Sequence, residues 1–206
     1  MQLLKKYIPP LLFLGYGVLF ILLAVHPFDR AVWWAENVPI FIIFSIIVIL
    51  YIRNVRFSAF AYVMMFFLLY IHTIGGHYTF ERVPFDWFNH LFGFERNMYD
   101  RVGHFTVGFY AYPILERLWY KTTTPKVVAV LFAIFAIATV AVTYEWIEWW
   151  YAAQYGGSAG VAFLGSQGDI WDAQKDMLMD TLGAVFAVLL FLVGRKRSAQ
   201  SVVATN

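Results

Sequence analysis

Long apolar runs constrain this chain more than any other feature of its sequence. A helix needs about 20 mainly apolar residues to cross the roughly 30 Å hydrocarbon layer of a bilayer. Runs of about that length cover residues 8–25, 38–52, 57–74, 100–118, 127–150 and 176–194, and the second gains a turn if it starts near residue 33. The runs predict an all-α fold, a polytopic membrane helix bundle with six transmembrane helices.

Composition narrows the class of protein further. Apolar residues make up 61% of the 206-residue chain and charged residues 14%, against about 45–50% and about 25% in soluble domains. That balance excludes an ordinary soluble globule and a disordered chain. The chain has no basic tract long enough for nucleic acid, so no nucleic-acid partner is expected. It shows no internal repeat or linker, and we predict one integral membrane domain over residues 1–206.

The distribution of charge predicts an orientation, because the side richer in Lys and Arg stays in the cytoplasm. With the N-terminus inside, ten of the 15 basic residues lie on the inner side. Of the 13 acidic residues only Glu116 lies there, and all five histidines lie on the outer side. Both termini are therefore predicted to be cytoplasmic, and any chemical site is predicted to face outward.

Two outer loops have distinct patterns. In the loop 75–98, Trp87, Phe88, Leu91 and Phe92 recur at helical spacing, which predicts a short interfacial helix. An aromatic belt with no further role is the alternative. The loop 154–168 is rich in Gly and Ser, and is predicted to be flexible and able to cover a site.

The candidate site residues lie at the predicted outer ends of the last three spans. Spacings of three or four residues place each group on one face of its helix. A carboxylate inside the edge of the hydrocarbon layer costs several kcal/mol unless it is paired. Only Arg101 and Lys175 are near enough in sequence to pair with these acids. The candidates are Asp100 and His104 on the fourth span, Glu145 and Glu148 on the fifth, and Asp172, Asp176 and Asp180 on the sixth.

Each group also has a structural explanation. Asp100 and His104 fit a helix cap with a structural histidine, and Glu145 and Glu148 fit two exposed acids at the membrane surface. The aspartates of the sixth span fit favourable charge at a helix N-terminus. His72 is better explained by a helix-packing hydrogen bond than by a role as a ligand.

The same residues resemble a known motif set. Asp100-Arg101-x-x-His104-Phe105 is similar to the D-K/R-x-x-H-F signature of VanZ-like membrane proteins. Glu145-x-x-Glu148 resembles their E-x-x-Q motif, and Asp172-x-x-x-Asp176-x-x-x-Asp180-x-x-Gly183 their D-x-x-x-N-x-x-G pattern. Glu148 replaces Gln and Asp180 replaces Asn, so both departures add negative charge. This resemblance implies a role in the cell envelope.

A second resemblance covers nearly the whole chain. The opening K-K-Y-I-P and the stretch H-P-F-D-R-A-x-W-W are similar to the YjdF-type inner-membrane proteins. That bacterial family has six spans and no known function. The resemblance implies a multi-pass protein of the bacterial cytoplasmic membrane, with the lipid bilayer as its surroundings.

Two functions from different classes are consistent with these residues. In the first, a divalent metal ion at the outer leaflet assists chemistry on a lipid or lipid-linked envelope headgroup. In the second, the acidic site binds or transports a cation or small molecule without catalysis. The inner halves of the last three spans carry no charged residue, which favours a one-sided site. A purely structural role, the oligomeric state and the substrate are left open.

The enzyme hypothesis gives each candidate a role. Divalent ions are held by His and carboxylate ligands in a chain with no cysteine. The predicted ligands are His104, Glu145, Asp176 and Asp180. Asp100 or Glu148 is the predicted base, and the predicted contacts to substrate are Arg101 and Asp172.

Overall fold

The structure is a computed structural model that describes residues 2–155, 157, 160, 164 and 166–203. Seven of the 15 residues of the predicted 154–168 loop lie outside the described residues. Those residues form helices and turns and no strand, which confirms the all-α prediction. The helices are α1 (Gln2–Ala24), α2 (Arg30–Ile52), α3 (Ala59–Tyr78), α4 (Asp86–Phe92), α5 (Tyr99–Val107), α6 (Ala111–Lys121), α7 (Lys126–Tyr155) and α8 (Asp172–Val203).

Five of the described helices are long and apolar enough to cross a membrane: α1, α2, α3, α7 and α8. The predicted fourth span, 100–118, is divided into α5 and α6 by a 3-10 turn over Gly108–Tyr110. Pro113 explains this turn, because proline has no N–H to donate to the carbonyl four residues earlier and its ring displaces that carbonyl. The six-span count therefore stays a prediction.

The loop between α3 and α5 contains the predicted short helix. This is α4, which ends at Gly93 in the left-handed region with φ +71°. Trp87, Leu91 and Phe92 are exposed on α4, as expected of a helix that lies on a membrane surface.

The membrane helices pack in two groups. In the first, α1 and α2 contact α3 around Tyr16, Ile40 and Phe66. In the second, α8 contacts α5, α6 and α7, and α6 also contacts α7. Leu11, Ile42 and many other apolar side chains on the outside of the bundle are exposed. In a bilayer these side chains face lipid, so their exposure is favourable.

The second group is fixed by a close contact between two glycines. Gly108 lies against the backbone of Gly183 and Ala184 on α8. A Cβ atom on Gly183 would overlap the carbonyl oxygen of Phe105. Small residues allow helix backbones to approach this closely inside a membrane. The contact places the first turns of α5 beside the first turns of α8, where the candidate residues lie.

Candidate functional site

The start of α5, the end of α7 and the start of α8 meet at one end of the bundle. We call this region the acidic end and define it by Asp100, His104, Glu145, Asp176 and Asp180. The four carboxylates are buried, and the exposed fractions of Asp176 and Asp180 are only 2% and 1%. The structure therefore brings together candidates from all three predicted spans.

Two arginines form an ion-pair network on one side of the acidic end. Arg101 is buried and donates hydrogen bonds to Asp172 and Asp176. Arg96 donates to Asp172 Oδ1 at 2.7 Å and lies 3.4 Å from Asp100 Oδ2. Arg101 and Asp172, both predicted to contact substrate, thus pair with each other. Sequence reasoning missed Arg96, although it precedes Asp100 by four residues.

Asp169 joins this network from the turn before α8. Its Oδ2 atom accepts a hydrogen bond from Lys175 Nζ at 2.6 Å and lies 3.4 Å from Arg101 Nη2. Lys175 is the main reason that the pKa of Asp169 lies below its ordinary value of 3.8. Asp169 was not among the predicted site residues, and the structure places it inside the ion-pair network.

His104 lies between carboxylates on both sides of its ring. Its Nδ1 atom is 3.3 Å from Asp180 Oδ2, and its Nε2 atom is 3.6 Å from Asp176 Oδ1 and 3.7 Å from Asp100 Oδ1. One ligand atom each from Asp100, His104 and Asp176 lie within 4.8 Å of one another, as one metal ion requires. His104 and Asp176 were both predicted as ligands. Among the described residues, the third member of the trio is Asp100, whereas the prediction had Glu145 and Asp180.

The two glutamates of α7 are buried rather than exposed. Glu145 and Glu148 are each 8% exposed, so the explanation that placed them at the membrane surface is wrong. Glu145 Oε1 and Asp180 Oδ1 are buried and have no hydrogen-bond partner within the described residues. A buried acceptor without a partner costs about 1–3 kcal/mol, and more when it is charged. Within the described residues, nothing offsets this cost for these two oxygens.

A cavity of about 80 Å³ extends from His104 and Asp180 toward α2 and α3. Its far wall contains residues that the sequence did not single out as a site. Glu36 Oε2 lies 3.2 Å from His72 Nε2 and accepts a hydrogen bond from the Tyr144 hydroxyl at 3.4 Å. His72 Nε2 also lies 3.0 Å from the Glu36 carbonyl oxygen, which confirms the helix-packing hydrogen bond.

Comparison with known proteins places the chain in a family. Residues 8–197 match the model of a family described as "Predicted membrane protein (DUF2238)". The chain belongs to this family. It is also 36% identical over 166 residues to "Inner membrane protein YjdF" of Escherichia coli (strain K12), covering 78% of each chain. No solved structure matches.

Membership of the family confirms the YjdF-type resemblance. Together with the apolar helices, it identifies a multi-pass inner-membrane protein whose surroundings are the lipid bilayer. The resemblance to VanZ-like proteins stays a prediction.

Proposed function

We propose that this protein is an inner-membrane enzyme in which a divalent cation assists chemistry on a phosphate-bearing lipid or lipid-linked headgroup. The observation that carries the proposal is the convergence of Asp100, His104 and Asp176 ligand atoms within 4.8 Å, beside a cavity. Imidazole nitrogen and carboxylate oxygen are common ligands of divalent ions in proteins. When bound, such an ion polarises a phosphoryl or acyl oxygen or activates water.

Within this proposal the two nitrogens of His104 have different partners. Nε2 faces Asp100 and Asp176 and is the ligand atom, whereas Nδ1 donates its hydrogen to Asp180. A metal-bound histidine usually donates its other N–H to a carboxylate, which fixes the ring and its tautomer. Asp180 therefore orients His104, and the predicted ligand role of Asp180 becomes a positioning role.

The remaining candidates serve the substrate. Arg101 contacts the same Asp176 oxygen that faces His104, so its guanidinium would be placed to contact an anionic group bound at this site. The planar guanidinium suits phosphate oxygens, and Asp172 holds it in place. Glu148 lines the cavity and makes no hydrogen bond to the described part of the chain, so it is our proposed base.

The experiment that tests the proposal is a titration of the detergent-purified protein with Mn²⁺, followed by electron paramagnetic resonance. We expect saturable binding that EDTA reverses and that His104→Gln and Asp176→Asn each weaken by about tenfold or more. Glu95→Gln, an exposed acid of the outer loop, is the control and leaves binding unchanged. A second assay measures activity on a bacterial lipid extract. We expect the protein to release phosphate-bearing headgroups when Mn²⁺ is present and not when EDTA has removed it. Equal Mn²⁺ binding by His104→Gln and the unchanged protein contradicts the proposal.

The proposed site faces outward, as the distribution of Lys and Arg predicts. Reporter fusions after Lys121 and Arg197 are expected to report a cytoplasmic location, and a fusion after Glu95 an external one. A cytoplasmic signal from the Glu95 fusion contradicts an outward-facing site.

Binding without catalysis is a second candidate function, favoured by the excess of buried carboxylates over cations at the acidic end. In that case Mn²⁺ binds with the same dependence on His104 and Asp176, and no lipid headgroup is released. If the protein also transports the ion, proteoliposomes containing it accumulate Mn²⁺ faster than liposomes containing the His104→Gln variant.

A further inference from the structure

We infer that the cavity beside His104 binds a primary ammonium group on a short carbon chain. Such a group occurs at the end of an ethanolamine headgroup and also in small free amines. The inference deepens the proposed function by naming a chemical feature of the substrate, and it rests on that function for the link to chemistry.

The first observation is the charge of the cavity wall. Four carboxylates line the cavity, and its lining contains no Lys or Arg among the described residues. The only basic side chains in this lining, among the described residues, are two histidines, so carboxylates outnumber basic groups two to one. The acids are Glu36, Asp100, Glu148 and Asp180, and the histidines are His72 and His104. Opposite charge is the simplest way to stabilise such a group of acids, so the occupant is a cation.

The second observation is that two of these acids have carboxylate oxygens without a hydrogen-bond partner among the described residues, although Asp180 Oδ2 contacts His104. Asp180 Oδ1 is buried without a hydrogen-bond partner, and the exposed fraction of the residue is 1%. Glu148 is 8% exposed and makes no hydrogen bond to the described residues. Buried acceptors in proteins are nearly always satisfied by a donor. An ammonium group offers three N–H donors.

The third observation separates an organic cation from a metal ion. The ligand trio of Asp100, His104 and Asp176 lies at one side of the cavity. On the far side Glu36 Oε2 already contacts His72 and Tyr144, and the described residues there form no second metal-ligand group. Phe80 and Tyr144 add aromatic rings, and the face of an aromatic ring attracts an ammonium group.

The remaining wall and the size of the cavity define the rest of the ligand. Ile40, Leu68 and Val107 contribute apolar surface, which suits methylene groups next to a charge. A volume of about 80 Å³ holds several water molecules or one small organic group. Asp100 and His104 belong both to the cavity and to the ligand trio. One headgroup can therefore place its ammonium in the cavity and its phosphate at the trio.

Calorimetric titration of the purified protein with ethylammonium chloride tests the inference, with sodium chloride at equal ionic strength as reference. We expect saturable binding of ethylammonium and none of ethanol, its neutral counterpart. Glu148→Gln removes one charge and breaks no hydrogen bond within the described residues, and we expect it to weaken binding about tenfold or more. Glu95→Gln is the matched control on the exposed outer loop and binds as the unchanged protein does.

A second variant keeps the test decisive if Glu148→Gln does not fold. In Glu36→Gln the amide oxygen still accepts the Tyr144 hydrogen, while the negative charge is lost. We expect a similar loss of ethylammonium binding. Unchanged ethylammonium affinity in either folded variant overturns the inference, as does the absence of saturable binding to the unchanged protein.

Nanodiscs distinguish the two sources of the ammonium group. Native mass spectrometry compares protein from discs of phosphatidylethanolamine mixed with phosphatidylglycerol and from discs of phosphatidylglycerol alone. Retention of phosphatidylethanolamine that falls in Glu148→Gln assigns the group to a lipid headgroup. Ethylammonium binding without such retention assigns it to a free amine.

The Mn²⁺ titration separates this inference from the proposed function. If ethylammonium binds and Mn²⁺ does not, the cavity assignment stands and the metal-dependent enzyme fails. If Mn²⁺ binds with the expected dependence on His104 while ethylammonium does not bind, the cavity assignment alone is overturned.

Discussion

The helices α6, α7 and α8 form a sealed end that contrasts with the acidic end beside it. The sealed end is the cluster of Ala111, Leu115, Ala129, Ala133 and Ala187, each with an exposed fraction of 0%. Alanine allows helix backbones to approach closely, and the buried residues of this cluster are all apolar. At the acidic end, by contrast, the same α7 and α8 carry buried carboxylates and border a cavity.

The difference shows how a small membrane protein tolerates unfavourable charge. Buried carboxylates cost free energy unless cations or donors compensate them. The arginines compensate the aspartates nearest to them, while Glu145 Oε1 and Asp180 Oδ1 have no hydrogen-bond partner within the described residues. Tight apolar packing at the sealed end opposes that cost on the same helices.

The largest effect is expected where the two ends join. Gly183→Leu introduces a side chain against the Phe105 carbonyl and the Gly108 backbone. Neither neighbour is a flexible side chain, so we expect a loss of more than about 4 kcal/mol and no folded protein. Size-exclusion chromatography after detergent extraction measures this. Gly17→Ala is the control, because a Cβ there meets nothing within 4 Å. A monodisperse Gly183→Leu protein contradicts the close contact.

The next effect concerns compensation at the acidic end. Arg101→Gln leaves Asp172 and Asp176 without their shared guanidinium, and we expect a loss of about 3 kcal/mol in thermal or denaturant unfolding. Adding Asp176→Asn removes one unpaired charge and is expected to recover part of the loss. Arg82→Gln changes a side chain that is 52% exposed and is expected to cost under about 0.5 kcal/mol. Equal effects of Arg101→Gln and Arg82→Gln are inconsistent with a buried network.

A smaller effect separates packing from binding. Ala133→Leu adds volume to the sealed end, and we expect a loss of about 1–3 kcal/mol. Mn²⁺ affinity stays unchanged, because no residue of the ligand trio moves. Ala153→Leu, at an exposed position of the same helix, leaves both stability and affinity unchanged. Loss of Mn²⁺ affinity in Ala133→Leu shows that the two ends are not independent.

The smallest effect is a pH dependence at the edge of the network. The Lys175 ammonium group holds the pKa of Asp169 below its ordinary value of 3.8. A carboxyl whose folded pKa is lowered stabilises the fold above its unfolded pKa, and this contribution is lost as pH falls through the folded pKa. We therefore expect the melting temperature of Asp169→Asn to lie slightly below that of the unchanged protein at pH 5–7. The gap closes below about pH 4, and a gap that widens on acidification contradicts this pairing.

Much of the fold was predictable, because the length of an apolar run and the spacing of apolar residues within it determine where membrane helices form. The short helix α4 was predicted from the spacing of Trp87, Leu91 and Phe92. The division of the 100–118 run was not predicted, although Pro113 inside that run is a recognised cause of local distortion. Contact between Gly108 and Gly183 needs two helices to be placed together, and no pattern within one helix reveals that.

The site was predicted only in part. Spacing within each helix identified Asp100, His104, Asp176 and Asp180, and the structure places them together. Glu36 and His72 line the cavity from α2 and α3. They were missed as cavity residues because no other charged residue or histidine lies three or four positions from either of them. Burial of Glu145 and Glu148 agrees with their choice as candidates and excludes the alternative, suggested by the neighbouring tryptophans, that they are exposed at the membrane surface.

The contact between Gly108 and Gly183 also sets the alignment of the acidic end. If α8 shifted along α5 by one residue, Leu182 or Ala184 would occupy the place of Gly183. Either side chain would then clash with the Phe105 carbonyl. Only one register of α8 against α5 therefore avoids a steric clash. His104 remains level with Asp176 and Asp180 because, one turn deeper, two residues without side chains prevent the helices from sliding.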